Sequence, residues 1–427
     1  MEILLLLGII MDIALLISIA KKVQGGLKFL LYTLSGYWFL SFFLRPVIFI
    51  YSRDNNIDSK IYDSRIGQST HNFANVMFPI VVGCFFFCLP LIIHSIRLNT
   101  ISKQSKSKHF FGDFSWLIVY GILVGYLSMF LEETSFRNPF SKSLITLLPI
   151  TFSAFLWSSK DLKFPISKKI GITIFGILGI LILSINSNNS KGVLLMPALI
   201  YISRLDIWKR HGKLAGKFVI GIALPLMLIP IFSILQTNKL GEASVNSAAR
   251  NSELLPWFLS PFVLLLDRFD QFARVADAIF AEQNPLGSYK SWVVYLSNKL
   301  VWNPNSGRTE PSFGQEWNQL VTNQSIPSSR FSNVALAQGM IAEGFIWSGI
   351  ISLIIECVVF ALIFIWLGNL MDGRPINRIF AFGLIANAAI FEMGIVQFSS
   401  VLSGAVKIYL FLIVSHKLSG FLRRNSM

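Results

Sequence analysis

An all-α polytopic membrane protein, with about eleven transmembrane helices and one long loop outside the bilayer, is the fold class this sequence predicts. Three observations predict it. Apolar residues make up 53% of the chain and charged residues 14%, with 38 Phe among 427 positions, whereas a soluble domain carries roughly 25% charged residues to cover its water-facing surface. The apolar residues gather in stretches close to the ~20 residues that cross a hydrocarbon core. The Lys and Arg residues gather in alternate connecting segments, as orientation in a membrane requires.

In chain order, spans fall near 3–20, 29–51, 74–96, 114–131, 143–158, 169–186, 192–208, 217–235, 346–368, 378–395 and 400–417. No basic segment precedes the first, and Lys21 and Lys22 follow it. A cleaved signal peptide has the opposite polarity, so an uncleaved span entering from the outside is expected. The seventh has the shortest clean apolar core, ending before Arg204 and Asp206. Pro46, Pro79, Pro90, Pro197, Pro225 and Pro230 lie inside spans, which bundled membrane helices tolerate. Three regions result: a bundle over 1–235, an extracytoplasmic loop over 236–345, and further spans with a short cytoplasmic tail over 346–427.

Loop charge checks this count independently. With the N-terminus outside, the cytoplasmic segments and tail hold 21 Lys and Arg. The short external loops hold only Arg53, Lys60, Arg65, Arg137, Lys142 and Lys191. Every short loop then obeys the positive-inside rule, and the long loop escapes it because long segments translocate regardless of charge. The net charge of +15 is dispersed among loops rather than gathered in a patch, which argues against a nucleic-acid partner. Cys84, Cys88 and Cys357 all sit in apolar spans and read as small buried residues, with neither a disulfide framework nor a metal set. No cofactor or metal is expected.

The 236–345 loop holds eight Lys and Arg, many aromatics and no Cys or His, a composition suited to an anionic, sugar-bearing lipid rather than to a metal or redox centre. Within it, 264–282 has helical periodicity: Asp267, Asp270, Arg274 and Asp277 form one polar stripe, with Leu265, Phe269, Phe272, Ala276 and Phe280 opposite. This amphipathic helix is expected to lie along the interface or to cover the bundle as a lid, its aspartates facing water. Upstream, 254–266 is apolar but carries Pro256 and Pro261, so an interfacial or re-entrant segment is expected. Downstream, a turn-rich stretch holds Arg308, Glu310, Glu316 and Trp317, which either contact sugar and phosphate or form a solvated loop. Arg330 then precedes the ninth span, and Glu343 falls at its headgroup level, beside Gly344 and Gly349, small residues that allow close backbone packing.

Four ionisable residues are noted inside spans: Arg45, Glu356, Glu392 and Lys407. Such residues are costly in hydrocarbon and normally have partners. Arg45 and Glu392 fall toward external ends, whereas Glu356 and Lys407 lie near mid-depth and are spaced to pair. Structural pairing, or snorkelling of Arg45, competes with a functional reading. His71, beside the third span, has no companion.

The layout resembles the Wzy-type polymerases of bacterial O-antigen and capsule synthesis: many spans, a long late external loop, and a returning helix with a Glu-Gly…Gly pattern (Glu343, Gly344, Gly349). The resemblance covers the C-terminal half, through 187–197 and 313–349; the Arg-x10-Gly spacing of some members is absent. It implies a GT-C-like bundle in the inner membrane that joins oligosaccharide repeats carried on undecaprenyl diphosphate, with room for a chain-length regulator as partner. The diphosphate leaving group calls for cations where negative charge develops. Arg268, Arg274, Arg308 and Arg330 are the candidates, Lys191, Arg45 and Trp317 are further substrate contacts, and Glu343 is the expected base for the acceptor hydroxyl. The expected catalytic set is Glu343, Arg308 and Arg330.

Three rivals remain open. An O-antigen ligase shares the layout but carries a late external His, where this chain has Asn333. A lipid-linked-oligosaccharide flippase would line a central passage rather than build a long loop. A glycosyltransferase using a carboxylate of the first external loop would rely on Asp54, Asp58 or Asp63. Reporter fusions test the topology on which all of this rests. Fusions at Arg308 should report from outside the cytoplasm and fusions at Lys108 from within it; the reverse pattern would invert the scheme.

Overall fold

The computed structural model describes residues 1–55, 64–67, 69–101, 115–133, 145–158, 165–186, 197, 199–200, 271–280, 339–373, 375–385, 391 and 394–425. Every element among them is helical: α1 (Glu2–Lys22), α2 (Gly25–Trp38), a π-helical turn (Phe39–Leu44), α3 (Arg45–Asp54), α4 (Ser64–Gly67), α5 (Thr70–Ile101), α6 (Ser115–Glu133) and α7 (Leu147–Ser158). They continue with α8 (Ile166–Asn186), α9 (Gln271–Phe280), α10 (Gly339–Ser348), α11 (Ile350–Asp372), α12 (Pro375–Ile385) and α13 (Ile395–Asn425).

Five stretches are long and apolar enough to cross a bilayer: Glu2–Lys22, Gly25–Asp54, Thr70–Arg97, Ile166–Leu183 and Ile350–Asp372. They match the first, second, third, sixth and ninth expected spans. Four more expected spans hold shorter apolar helical stretches, Val119–Ser128, Leu147–Ser158, Ile376–Ile385 and Gly404–Ser415. The seventh and eighth lie almost wholly outside the described residues. A lipid bilayer is the environment that such helices require.

The described residues fall into two compact units. Unit 1 comprises Met1–Gln104, Leu226–Gly368 and Ile390–Ser400; unit 2 comprises Ser105–Pro225, Asn369–Ala389 and Val401–Met427.

In unit 1, α1 and α5 run side by side in the same direction, so that Gly8 meets Val81 and the buried Asp12 lies near Cys84 and Cys88. The start of α1 and the end of α3 also come together, because Arg53 pairs with Glu2. The second span is not a plain α-helix. The Arg45 N–H bonds the Leu40 carbonyl five residues back, which closes the π-helical turn just before Pro46. Proline supplies no N–H and disfavours helical geometry in the residue before it, and π-bulges take up such strain while re-aiming the side chains that follow. The side chain re-aimed here is Arg45. It is 2% exposed, and its guanidinium stands 5.9 Å over the Phe272 ring.

Phe272 comes from α9 and completes a triangle with Phe49 of α3 and Phe73 of α5, with centroids 5.9–6.2 Å apart. A second aromatic chain runs Trp38, Phe87, Phe364 and Phe391, each pair at 5.4–5.9 Å.

The ninth span differs from its expected bounds. Gly349 has φ of +65°, so the apolar run breaks there. The spanning helix is α11, and α10 folds back on it, with Ser352 Oγ donating to the Gly344 carbonyl at 2.6 Å. Apolar residues continue on both sides of the turn, and apolar periodicity alone therefore hides it.

In unit 2, all of α7 is buried. Tyr126 of α6 donates to the Phe175 carbonyl of α8 at 2.6 Å, and their rings stack at 4.2 Å. Arg378 of α12 donates to Ser158 Oγ at 3.1 Å and to the Gly373 carbonyl at 3.2 Å. Trp157 meets Phe382 at 6.2 Å.

The Phe49–Phe73–Phe272 triangle makes a test of this packing. Phe272→Ala should destabilise the purified protein by about 3 kcal/mol, the cost of emptying an aromatic core site. Thermal unfolding in nanodiscs measures it, and a loss below about 1 kcal/mol would mean that α9 is not docked as described.

Candidate functional site

The helix α9 organises a cluster of polar residues in unit 1. Its apolar face places Phe272, Val275 and Ala276 in the core, as the expected stripe requires. Its polar side is a correction to the expectation that the aspartates face water. Asp277 is 4% exposed and lies between two guanidiniums: Arg65 Nη2 donates to Oδ1 at 2.7 Å, and Arg274 Nη1 donates to Oδ2 at 3.1 Å. The reason is docking. Once α9 packs against α5 and α10, a carboxylate on that side leaves water and must be paired. Burial holds the Asp277 carboxyl above its ordinary range, against the opposing pull of Arg65 and Arg274. Asp267 and Asp270 lie outside the described residues.

The Arg65 backbone is pinned as well, since Asn72 Nδ2 donates to its carbonyl at 2.7 Å. Both arginines that pair with Asp277 also reach solvent, with side chains 41% and 26% exposed for Arg65 and Arg274. That is a setting for an anion. Sequence reading counted Arg65 only as a loop charge. Its partner is 212 positions away, and no local spacing signals it.

The start of α9 meets the start of α10. Gly339 has φ of +75°, and a Cβ there would run into Gln271 Oε1. Only glycine lets the chain turn this tightly.

Deeper in unit 1, two carboxylates from the α10–α11 hairpin meet the first turn of α13. Glu343 Oε1 accepts the Val396 N–H at 2.8 Å, and Glu356 Oε1 accepts the Ile395 N–H at 3.1 Å. The first amides of a helix have no intrahelical acceptor and carry the positive end of its dipole, so buried carboxylates are suitable caps. Gly394 makes room, because a Cβ there would collide with the Glu343 carboxylate. Glu343 is 0% exposed, and its Oε2 has no hydrogen-bond partner among the described residues. The residue expected as the base at headgroup level is thus buried in unit 1 and caps the first turn of α13. Glu356, expected to pair with Lys407, takes its hydrogen bond from the α13 backbone; Lys407 belongs to unit 2, on an exposed part of α13.

Of the remaining expected residues, Arg45 is buried beneath the aromatic triangle rather than open to substrate. Lys191, Arg268, Arg308, Trp317, Arg330 and Glu392 lie outside the described residues. Asp12, 5% exposed within α1, went unremarked although an acid inside an 18-residue apolar run is itself a signal. No group of three potential metal ligands occurs among the described residues.

Asp277→Ala should destabilise the protein by roughly 2 kcal/mol, because it removes two charge-assisted hydrogen bonds at once. Arg65→Ala should cost less, since Arg274 still pairs Asp277; chemical unfolding of both variants checks the order. No protein-family model, no curated protein and no solved structure matches this chain.

Proposed function

We propose that the protein is a membrane polymerase that joins lipid-diphosphate-linked oligosaccharide repeat units at the outer face of a bacterial inner membrane. It would do so on an eleven-span, GT-C-like bundle with its N-terminus outside and its C-terminus cytoplasmic. The observation that carries the reading is the docking of α9. A helix of the 236–345 segment is seated against α5 and α10 by an arginine–aspartate–arginine cluster whose two guanidiniums reach solvent. Phosphoryl leaving groups need such cations, preorganised and partly shielded from water.

In this reading the growing chain leaves its lipid diphosphate and passes to a hydroxyl of the incoming unit. Arg65 and Arg274 neutralise charge developing on the departing diphosphate, and Arg268, Arg308 and Arg330 complete the cationic surface, with Lys191 and Trp317 contacting sugar and phosphate. Arg45 acts indirectly, holding Phe272 and hence α9. Glu343 and Glu356 position α13. No metal or cofactor is invoked. The alternatives remain a ligase, which would transfer the finished chain to a different acceptor, and a flippase, which would form no bond.

Purified full-length protein, given a synthetic lipid-diphosphate-linked repeat, should make polymer. Arg274→Ala should slow it about 100-fold, the usual loss on removing one charge-stabilising donor, with Arg274→Lys between the two. In cells, loss of a polymerase leaves single repeats on the lipid A core, loss of a ligase leaves long chains on the carrier, and loss of a flippase traps units in the cytoplasm. Either of the last two outcomes rejects the proposal. Glu343→Gln keeps an acceptor oxygen for Val396 and should retain most activity; a 100-fold loss at unchanged stability would restore its role as the base.

A further inference from the structure

We infer that Glu343 and Glu356 form a proton-binding site: the two carboxyls hold one proton between them, and that proton clamps the α10–α11 hairpin to the first turn of α13. The site is independent of the reaction proposed above and lies wholly within unit 1. Glu343 is 0% and Glu356 3% exposed. One oxygen of each accepts a backbone N–H, from Val396 at 2.8 Å and Ile395 at 3.1 Å. Consecutive residues stand about 3.8 Å apart. Their amides therefore draw the two acids together, near enough for the charge of one to act on the other.

The oxygens left over point to a proton. Glu343 Oε2 is buried without a hydrogen-bond partner among the described residues, and it lies over Gly394, where a Cβ would collide with it. Glu356 Oε2 lies beside Gly344, the residue after Glu343, 3.3 Å from where a Cβ would stand. As two anions, the pair would set two full charges against a helix end worth roughly half a charge. Like charges in one dry site disfavour double ionisation. A single proton removes the surplus charge and makes the stranded oxygen a donor toward the other carboxylate.

Neighbouring groups supply no substitute charge. Cys357 follows Glu356 on α11, Cys84 and Cys88 of α5 stand near Cys357, and Asp12 of α1 lies beyond them. His71 of α5 borders a cavity that Phe345 also lines, and on α9 Arg274 pairs with Asp277. Among the described residues, only the amides of Ile395 and Val396 donate to the two acids.

Infrared difference spectroscopy tests the site on full-length protein in an ester-free detergent, with carbon-13 in the glutamate carboxyls so that Asp12 stays silent. At neutral pH, Glu343→Gln, Glu356→Gln and the double variant should each lack the same single protonated-carboxyl band. Gln keeps an acceptor oxygen for the α13 amide in each case. Hydrogen exchange of the unchanged protein adds a reading that needs no variant. Raising the pH strips the proton and leaves two anions at one helix end, so exchange at residues 395 and 396 should accelerate about tenfold beyond its intrinsic rise. A band lost in only one single variant would place the proton on that residue alone. Two bands lost in the double variant would mean a proton on each acid, and no band lost would mean that both are ionised. Each of these results overturns the shared-proton site, as does exchange that follows the intrinsic rate throughout.

Discussion

A carboxylate withdrawn from water between two guanidiniums joins the middle of this chain to its first third. Asp277 cannot be buried alone, since an isolated ionised acid in a poorly polar setting is far too costly. Arg65 and Arg274 make its burial tolerable, and that burial lets the apolar face of α9 reach Phe49 and Phe73. Arg45 over Phe272 belongs to the same arrangement. Each contact presupposes the others. Without the pairing, α9 returns to the interface; without the aromatic triangle, nothing draws the aspartate inward.

The second buried acidic feature works by another route. Glu343 and Glu356 are not balanced by side-chain cations in the described structure. They rest on the consecutive amides of Ile395 and Val396, where unsatisfied N–H groups and the helix dipole supply partial positive charge. The break at Gly349 makes this possible, because it folds α10 back on α11 and brings two acids thirteen positions apart in sequence to one helix end.

Much of the helical layout was legible in the sequence because hydropathy and period carry it. The first span, the third and the apolar stripe of α9 appear as expected, since each is decided locally by runs of side chains. What could not be read was decided by contact between distant segments. Nothing near Arg65 announces Asp277, and nothing near Glu343 announces the amide of Val396. The turn at Gly349 was hidden because apolar residues continue on both sides of it, and the π-helical turn because it changes hydrogen bonding rather than composition. Asp12 was legible but overlooked. Arg274 and Phe272 were correctly placed on opposite sides of one helix, yet which side would be buried depended on what α9 met.

The order in which these partners leave the ribosome has its own consequence. Arg65 precedes Asp277 by 212 residues, an interval of about 10–40 s at ordinary synthesis rates of roughly 5–20 residues per second. Glu343 and Glu356 then wait in turn for the amides of residues 395 and 396. The early helices of unit 1 are therefore synthesised well before the segments that complete their polar contacts. Unit 1 can close only once nearly the whole chain has been made.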